Sequence, residues 1–62
     1  MDTDQLIGLT IEQARTVAAE NKRSIRIRRE DGKSYIGTDD FDGERINVEV
    51  REGRVVEVLG VG

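Results

Sequence analysis

Four carboxylates crowd one short stretch of this chain: Asp39, Asp40, Asp42 and Glu44 lie between Thr38 and Arg45. Against the single base Arg45 they carry the whole formal charge of −3, because acids and bases cancel over the rest of the sequence. Carboxylates so spaced could move protons, hold a cation or dock a basic surface, and each option makes a different demand on the other residues.

Proton chemistry finds no partners. The chain has no histidine and no cysteine, so the hydroxyls of Ser24 and Ser34 lack the usual base, and neither stands in a nucleophile-elbow context. With 62 residues there is little concavity to shift a carboxylate pKa or enclose a substrate. The expectation is a non-enzyme that needs no cofactor.

Cation binding has a partial match. Asp40, Asp42 and Gly43 fall on the third, fifth and sixth places of an EF-hand loop, and Glu49 falls on the twelfth. The first place would be Thr38 and the eighth the charged Arg45, and the flanks read as loop and strand where two helices are required. No metal is expected. The basic residues Arg26, Arg28 and Arg29, near Lys22 and Arg23, alternate with Ile25 and Ile27. They read as the wet face of a strand, where positive charge discourages edge pairing. With only Tyr35 and Phe41 carrying rings, no basic, aromatic surface for nucleic acid emerges. Gly60 and Gly62 are not followed by a helix and have no weight as a phosphate loop.

These residues need elements to position them. Thr10 with Gln13 forms the Thr-x-x-Gln pattern of a capping box, so a helix is expected to begin at Thr10. Ile11, Ala14, Val17 and Ala18 then recur at helical spacing for about three turns, and Asn21, tolerant of the left-handed conformation, is a fair stop. From Ser24 the period becomes two, with Ile25 and Ile27 facing a core. It resumes with Ile46, Val48 and Val50 against Asn47, Glu49 and Arg51, and a Glu52-Gly53 turn leads into Val55, Val56, Val58 and Leu59. Asp31-Gly32 could close a tight hairpin or begin a long crossover that lets 24–29 pair in parallel with 45–51; the pattern leaves both open.

A chain this short has room for one domain spanning 1–62 and one thin core, since it buries only about 60% of the surface its unfolded form exposes. Neither disulfides nor a structural zinc can staple it. Met1 to Gln5 is acidic, unlike a signal peptide, and is expected to be disordered. No apolar run nears the roughly 18 residues that span a bilayer. The sequence as written weakly favours the cytoplasm, and a removed signal would leave export open; no membrane partner is expected.

Taken in order, Leu6-Ile7-Gly8-Leu9-Thr10, Glu12-Gln13-Ala14, Arg29-Glu30-Asp31-Gly32, Thr38-Asp39-Asp40-Phe41, Arg45-Ile46-Asn47-Val48 and Val61-Gly62 resemble the potato inhibitor I family, and most of all its short microbial serine protease inhibitors. The similarity runs from Leu6 to Gly62. It implies an α+β fold in which one helix packs on a small mixed sheet, with two parallel strands joined by a long exposed loop. That loop would enter a serine protease as a substrate does. Ile36, Gly37 and Thr38 would lie on the acyl side of a reactive bond between Asp39 and Asp40, with Phe41 and Asp42 beyond it. Arg45 would brace the loop through the Asp40 carboxylate or the Thr38 region, and Asn47 would add a weaker support.

Asp39 departs from the apolar or aromatic residue usual at that position in inhibitors of chymotrypsin or subtilisin. The implied partner is therefore a serine protease that prefers Glu or Asp, or a subtilisin-like enzyme in which Ile36 fills an apolar accessory pocket. A monomer is expected. The reading from another class is a non-inhibitory interaction module that docks a basic partner through its acidic loop.

Overall fold

The computed structural model describes residues 1–35 and 40–62. Its elements in order are a 3-10 turn at Thr3–Leu6, helix α1 at Ile11–Glu20, and strands β1 at Ser24–Glu30, β2 at Lys33–Ser34, β3 at Arg45–Arg51 and β4 at Arg54–Val61. Among the described residues one helix lies against one mixed four-stranded sheet, an α+β fold, with strand order β2-β1-β3-β4.

Helix α1 starts where its cap dictates. Thr10 Oγ1 accepts from the Gln13 main-chain N–H at 3.2 Å, and Gln13 Oε1 accepts from that of Thr10 at 3.0 Å. Two of the orphan donors of the first turn are thereby satisfied. The other end corrects the sequence expectation. Asn21 is the cap residue, but at φ −103° it is not left-handed; that conformation falls on Lys22, at φ 59°. Arg23 N donates to Ala18 O at 2.8 Å and Lys22 N to Ala19 O at 3.0 Å, the paired bonds of a Schellman closure. A lysine there bears a steric cost that glycine avoids, partly offset by glycine's greater unfolded freedom. Lys22→Gly is therefore predicted to raise stability by about 0.5–1 kcal/mol, read as a higher urea midpoint at unchanged m. A lower midpoint would show that the Lys22 side chain contributes more than its backbone costs.

Thr3–Leu6 form the 3-10 turn, in which Asp2 Oδ1 accepts from Asp4 N at 3.0 Å and Leu6 is fully buried. One buried leucine and one cap hold the turn on the core.

Both readings of Asp31-Gly32 turn out to hold together. Asp31 and Gly32 have φ 49° and 85°, a two-residue turn of the primed kind that returns the chain as β2 against the end of β1. The chain then crosses over, and β1 pairs with β3 in parallel, Ser24 beside Arg45 and Arg26 beside Asn47. Glu52 and Gly53 repeat the turn chemistry between β3 and β4, which run antiparallel. Residues 8–11 cover the start of β4's outer edge, with Gly8 N on Val55 O and Val55 N on Leu9 O, both at 2.8 Å.

The core is Leu6, Ala14, Ala18, Ile25, Ile46, Val48, Val50 and Val55. Central strand β3 is covered on both faces, which alternation did not predict: Asn47 is 6% exposed and Glu49 4%. Glu49 lies between Arg29 at 3.5 Å and Arg51 at 3.2 Å. Long arginine stems roof this polar face while their head groups neutralise it. The wet-face reading of Arg26 and Arg28 is corrected accordingly. Strand β1 is internal, and both side chains are half-buried on that second face.

Candidate functional site

Parallel pairing of β1 with β3, and antiparallel pairing of β3 with β4, bring three chain segments to one end of the sheet. The start of β3 supplies Arg45 and Asn47, β1 supplies Arg26, and the residue after β4 supplies Gly62, whose N–H donates to Arg45 O at 2.9 Å. The acidic segment enters at the same end, because it leads directly into β3.

Arg45 links that segment to the sheet. Its Nη2 donates to the Asp40 carbonyl oxygen at 2.9 Å, and its Nε donates to the Gly62 carbonyl oxygen at 2.8 Å. The Asp40 carboxylate is farther, 3.8 Å from Nη1, and that side chain is 70% exposed while Arg45's is 17% exposed. An exposed ion pair at that distance contributes little. The main-chain hydrogen bond, charge-assisted and made by a guanidinium already fixed through Nε, is the firmer tie.

Asn47 and Arg26 complete the arrangement. Asn47 Nδ2 donates to Gly62 O at 3.2 Å, its Oδ1 accepts from Arg26 Nε at 3.0 Å, and Arg26 Nη2 reaches Gly62 O at 3.3 Å. One carbonyl oxygen thus gathers donors from β1 and from two residues of β3. Gly62, at φ 152°, admits no side chain without strain, and a methyl group there would stand 3.4 Å from the Phe41 ring. Phe41 lies over Gly62 and Gly43 yet is 78% exposed.

The segment also organises itself. Asp42 Oδ1 accepts from Glu44 N at 2.9 Å, and Arg45 N donates to Asp42 O at 3.1 Å, so residues 42–45 close an Asx-type turn. Across the connection, Tyr35 OH donates to Glu30 Oε1 at 2.8 Å. That bond, with the negative charge of Glu30, pushes the phenol above its ordinary pKa. The contact fastens the point where the chain leaves β2.

Of the residues singled out from the sequence, Ile36, Gly37, Thr38 and Asp39 lie outside the described residues. Asp40, Phe41 and Asp42 are exposed, and Arg45 and Asn47 meet at Gly62. Glu49 does not join Asp40 and Asp42 as a cation ligand; Arg29 and Arg51 occupy its carboxylate. Sequence reasoning gave neither Arg26 nor Gly62 a part in this site. The only signal for Arg26 was its place two residues into the strand that a parallel register would set beside Asn47.

No family model matches the chain, and neither a curated protein nor a solved structure matches it significantly. A shallow groove of about 250 Å³ opens beside this end of the sheet, lined in part by Arg28, Tyr35 and Leu59, below the size usual for small-molecule sites. What the end of the sheet offers is a set of exposed acids, Asp40, Asp42 and Glu44, held at the Asp40 main chain by a guanidinium anchored to the body of the domain.

Proposed function

We propose that this protein is a serine protease inhibitor of the potato inhibitor I type, with Asp39–Asp40 as its reactive bond and a Glu- or Asp-preferring or subtilisin-like serine protease as its target. The observation that carries the reading is the bridge made by Arg45 from the Asp40 carbonyl to that of Gly62. Asp40 is the residue whose nitrogen leaves when the catalytic serine attacks the preceding carbonyl. A leaving amine tied to the sheet stays within reach of the acyl-enzyme, so resealing competes with hydrolysis. A segment held before binding also avoids the entropy of ordering on association. Tight binding and slow turnover then have one cause.

A second reading has its own observation: Asp40, Asp42 and Glu44 are all exposed, as docking to a basic partner would require. Salt separates the two, because contacts between exposed charges collapse as ionic strength rises while a substrate-like loop keeps much of its binding.

The test is a titration of the protein against a glutamyl-specific serine protease and a subtilisin, at low and at high salt, with mass spectrometry of the slowly formed cleaved product. Stoichiometric inhibition that survives high salt, with the cut after Asp39, is the predicted result. Inhibition of neither enzyme, or rapid degradation at that bond, would remove the inhibitor reading.

A further inference from the structure

The Arg45 bridge depends on an acceptor, the Gly62 carbonyl, and that acceptor is itself held from the side. Asn47 is almost fully buried, and its amide has two ends of similar shape and opposite polarity. Turned the wrong way, it would set its Oδ1 against the Gly62 carbonyl oxygen, two acceptors face to face. Arg26 decides the orientation. A guanidinium only donates, so its Nε on Oδ1 at 3.0 Å requires Nδ2 to point at Gly62, where it donates at 3.2 Å. Arg26 Nη2 adds a direct bond to the same carbonyl at 3.3 Å. A continuous set of contacts therefore runs from Arg26 through Asn47 and Gly62 to Arg45 and the Asp40 main chain.

Resting on the inhibitor reading, we infer that Arg26 is a positioning residue for the loop: from a neighbouring strand it orients Asn47 and holds the Gly62 carbonyl on which Arg45 is braced, and so sets how firmly the leaving-group side is kept in place. Arg26 touches nothing that would react. Its effect passes through Arg45.

Arg26→Met keeps the apolar stem and removes the donors, whereas Arg26→Lys keeps one charged donor to Asn47 but cannot fork to Gly62. The readout that needs no protease is hydrogen exchange of the Arg45 Nε proton by NMR, compared with the amides of Val48 and Val50 in the core. Arg26→Met is expected to speed exchange at Arg45 about tenfold, the loss of roughly one charge-assisted bond, and to leave the two core amides at wild-type rates. Arg26→Lys should restore most of the protection. With whichever protease the wild type inhibits, Arg26→Met should also speed loop hydrolysis about tenfold. Unchanged exchange at Arg45, or a rise shared equally by the core amides, would overturn the inference. Should the wild type inhibit no protease, the inhibitor reading falls, and the exchange comparison still decides whether Arg26 positions Arg45.

Discussion

Ile46→Ala is expected to cost about 3 kcal/mol of folding stability, within the range of about 2–5 kcal/mol for removing a large aliphatic side chain from a packed core. Ile46 is fully buried on the central strand, between Ile25 on β1 and Val61 on β4. Its loss would leave a cavity that the helix, joined to the sheet by small residues Ala14 and Ala18, has little side chain to fill. A domain of 62 residues has roughly 3–9 kcal/mol of stability in total, so this one change should remove a third or more of it. Urea unfolding followed by circular dichroism would show the midpoint falling with m unchanged. Val56→Ala, at a site 42% exposed, is the matched control and should move stability by less than about 0.5 kcal/mol. A shift below about 1 kcal/mol for Ile46→Ala would mean that the core under the Arg45 end is not packed as described.

Ile46 also shows which parts of the fold were legible beforehand. Helix α1, its capping box and the strands β1, β3 and β4 follow from apolar periods of 3.6 and 2, which report one-sided burial directly. Two-residue β2 and the four-residue turn at Thr3–Leu6 are too short to have a period. Lys22 in the left-handed region was illegible for another reason: the Schellman closure sets which residue turns, and Asn21 merely looked better suited. The burial of Asn47 and Glu49 escaped because polar alternation ordinarily marks a wet face. Here arginines from neighbouring positions cover that face, and what they cover is visible only once the strands are in register.

The candidate site divides along the same line. Arg45 and Asn47 stand next to the acidic segment in sequence, so the resemblance could point to them. Arg26 and Gly62 come to the same place from 21 and 15 residues away from Asn47, through one parallel and one antiparallel pairing. The short contact of Arg45 also differs in kind from the one anticipated, since it is the Asp40 carbonyl rather than the carboxylate that lies at 2.9 Å. A brace on the main chain makes no demand on the side chains beside it. Under the inhibitor reading, specificity can therefore change at neighbouring positions while the support persists.

That separation leads to the expected outcome for Asp39→Leu under the inhibitor reading. A carboxylate entering an apolar specificity pocket without a partner loses its hydration, a cost on the order of 4 kcal/mol or a thousandfold in affinity. In a pocket that presents a basic group, the same carboxylate makes a charge-assisted hydrogen bond of about 1.5–3 kcal/mol. Asp39→Leu reverses both terms. Inhibition of a glutamyl-specific protease should weaken about a hundredfold, and inhibition of a subtilisin should strengthen about a thousandfold. The Arg45 contact is to the main chain of Asp40 and needs nothing from the side chain before it, so loop hydrolysis should remain slow in the variant. Inhibition constants against both enzymes, with urea midpoints measured in parallel, make the comparison. Equal constants for wild type and variant against each enzyme would show that residue 39 does not enter the specificity pocket, and the reactive bond would have to be sought elsewhere in the segment.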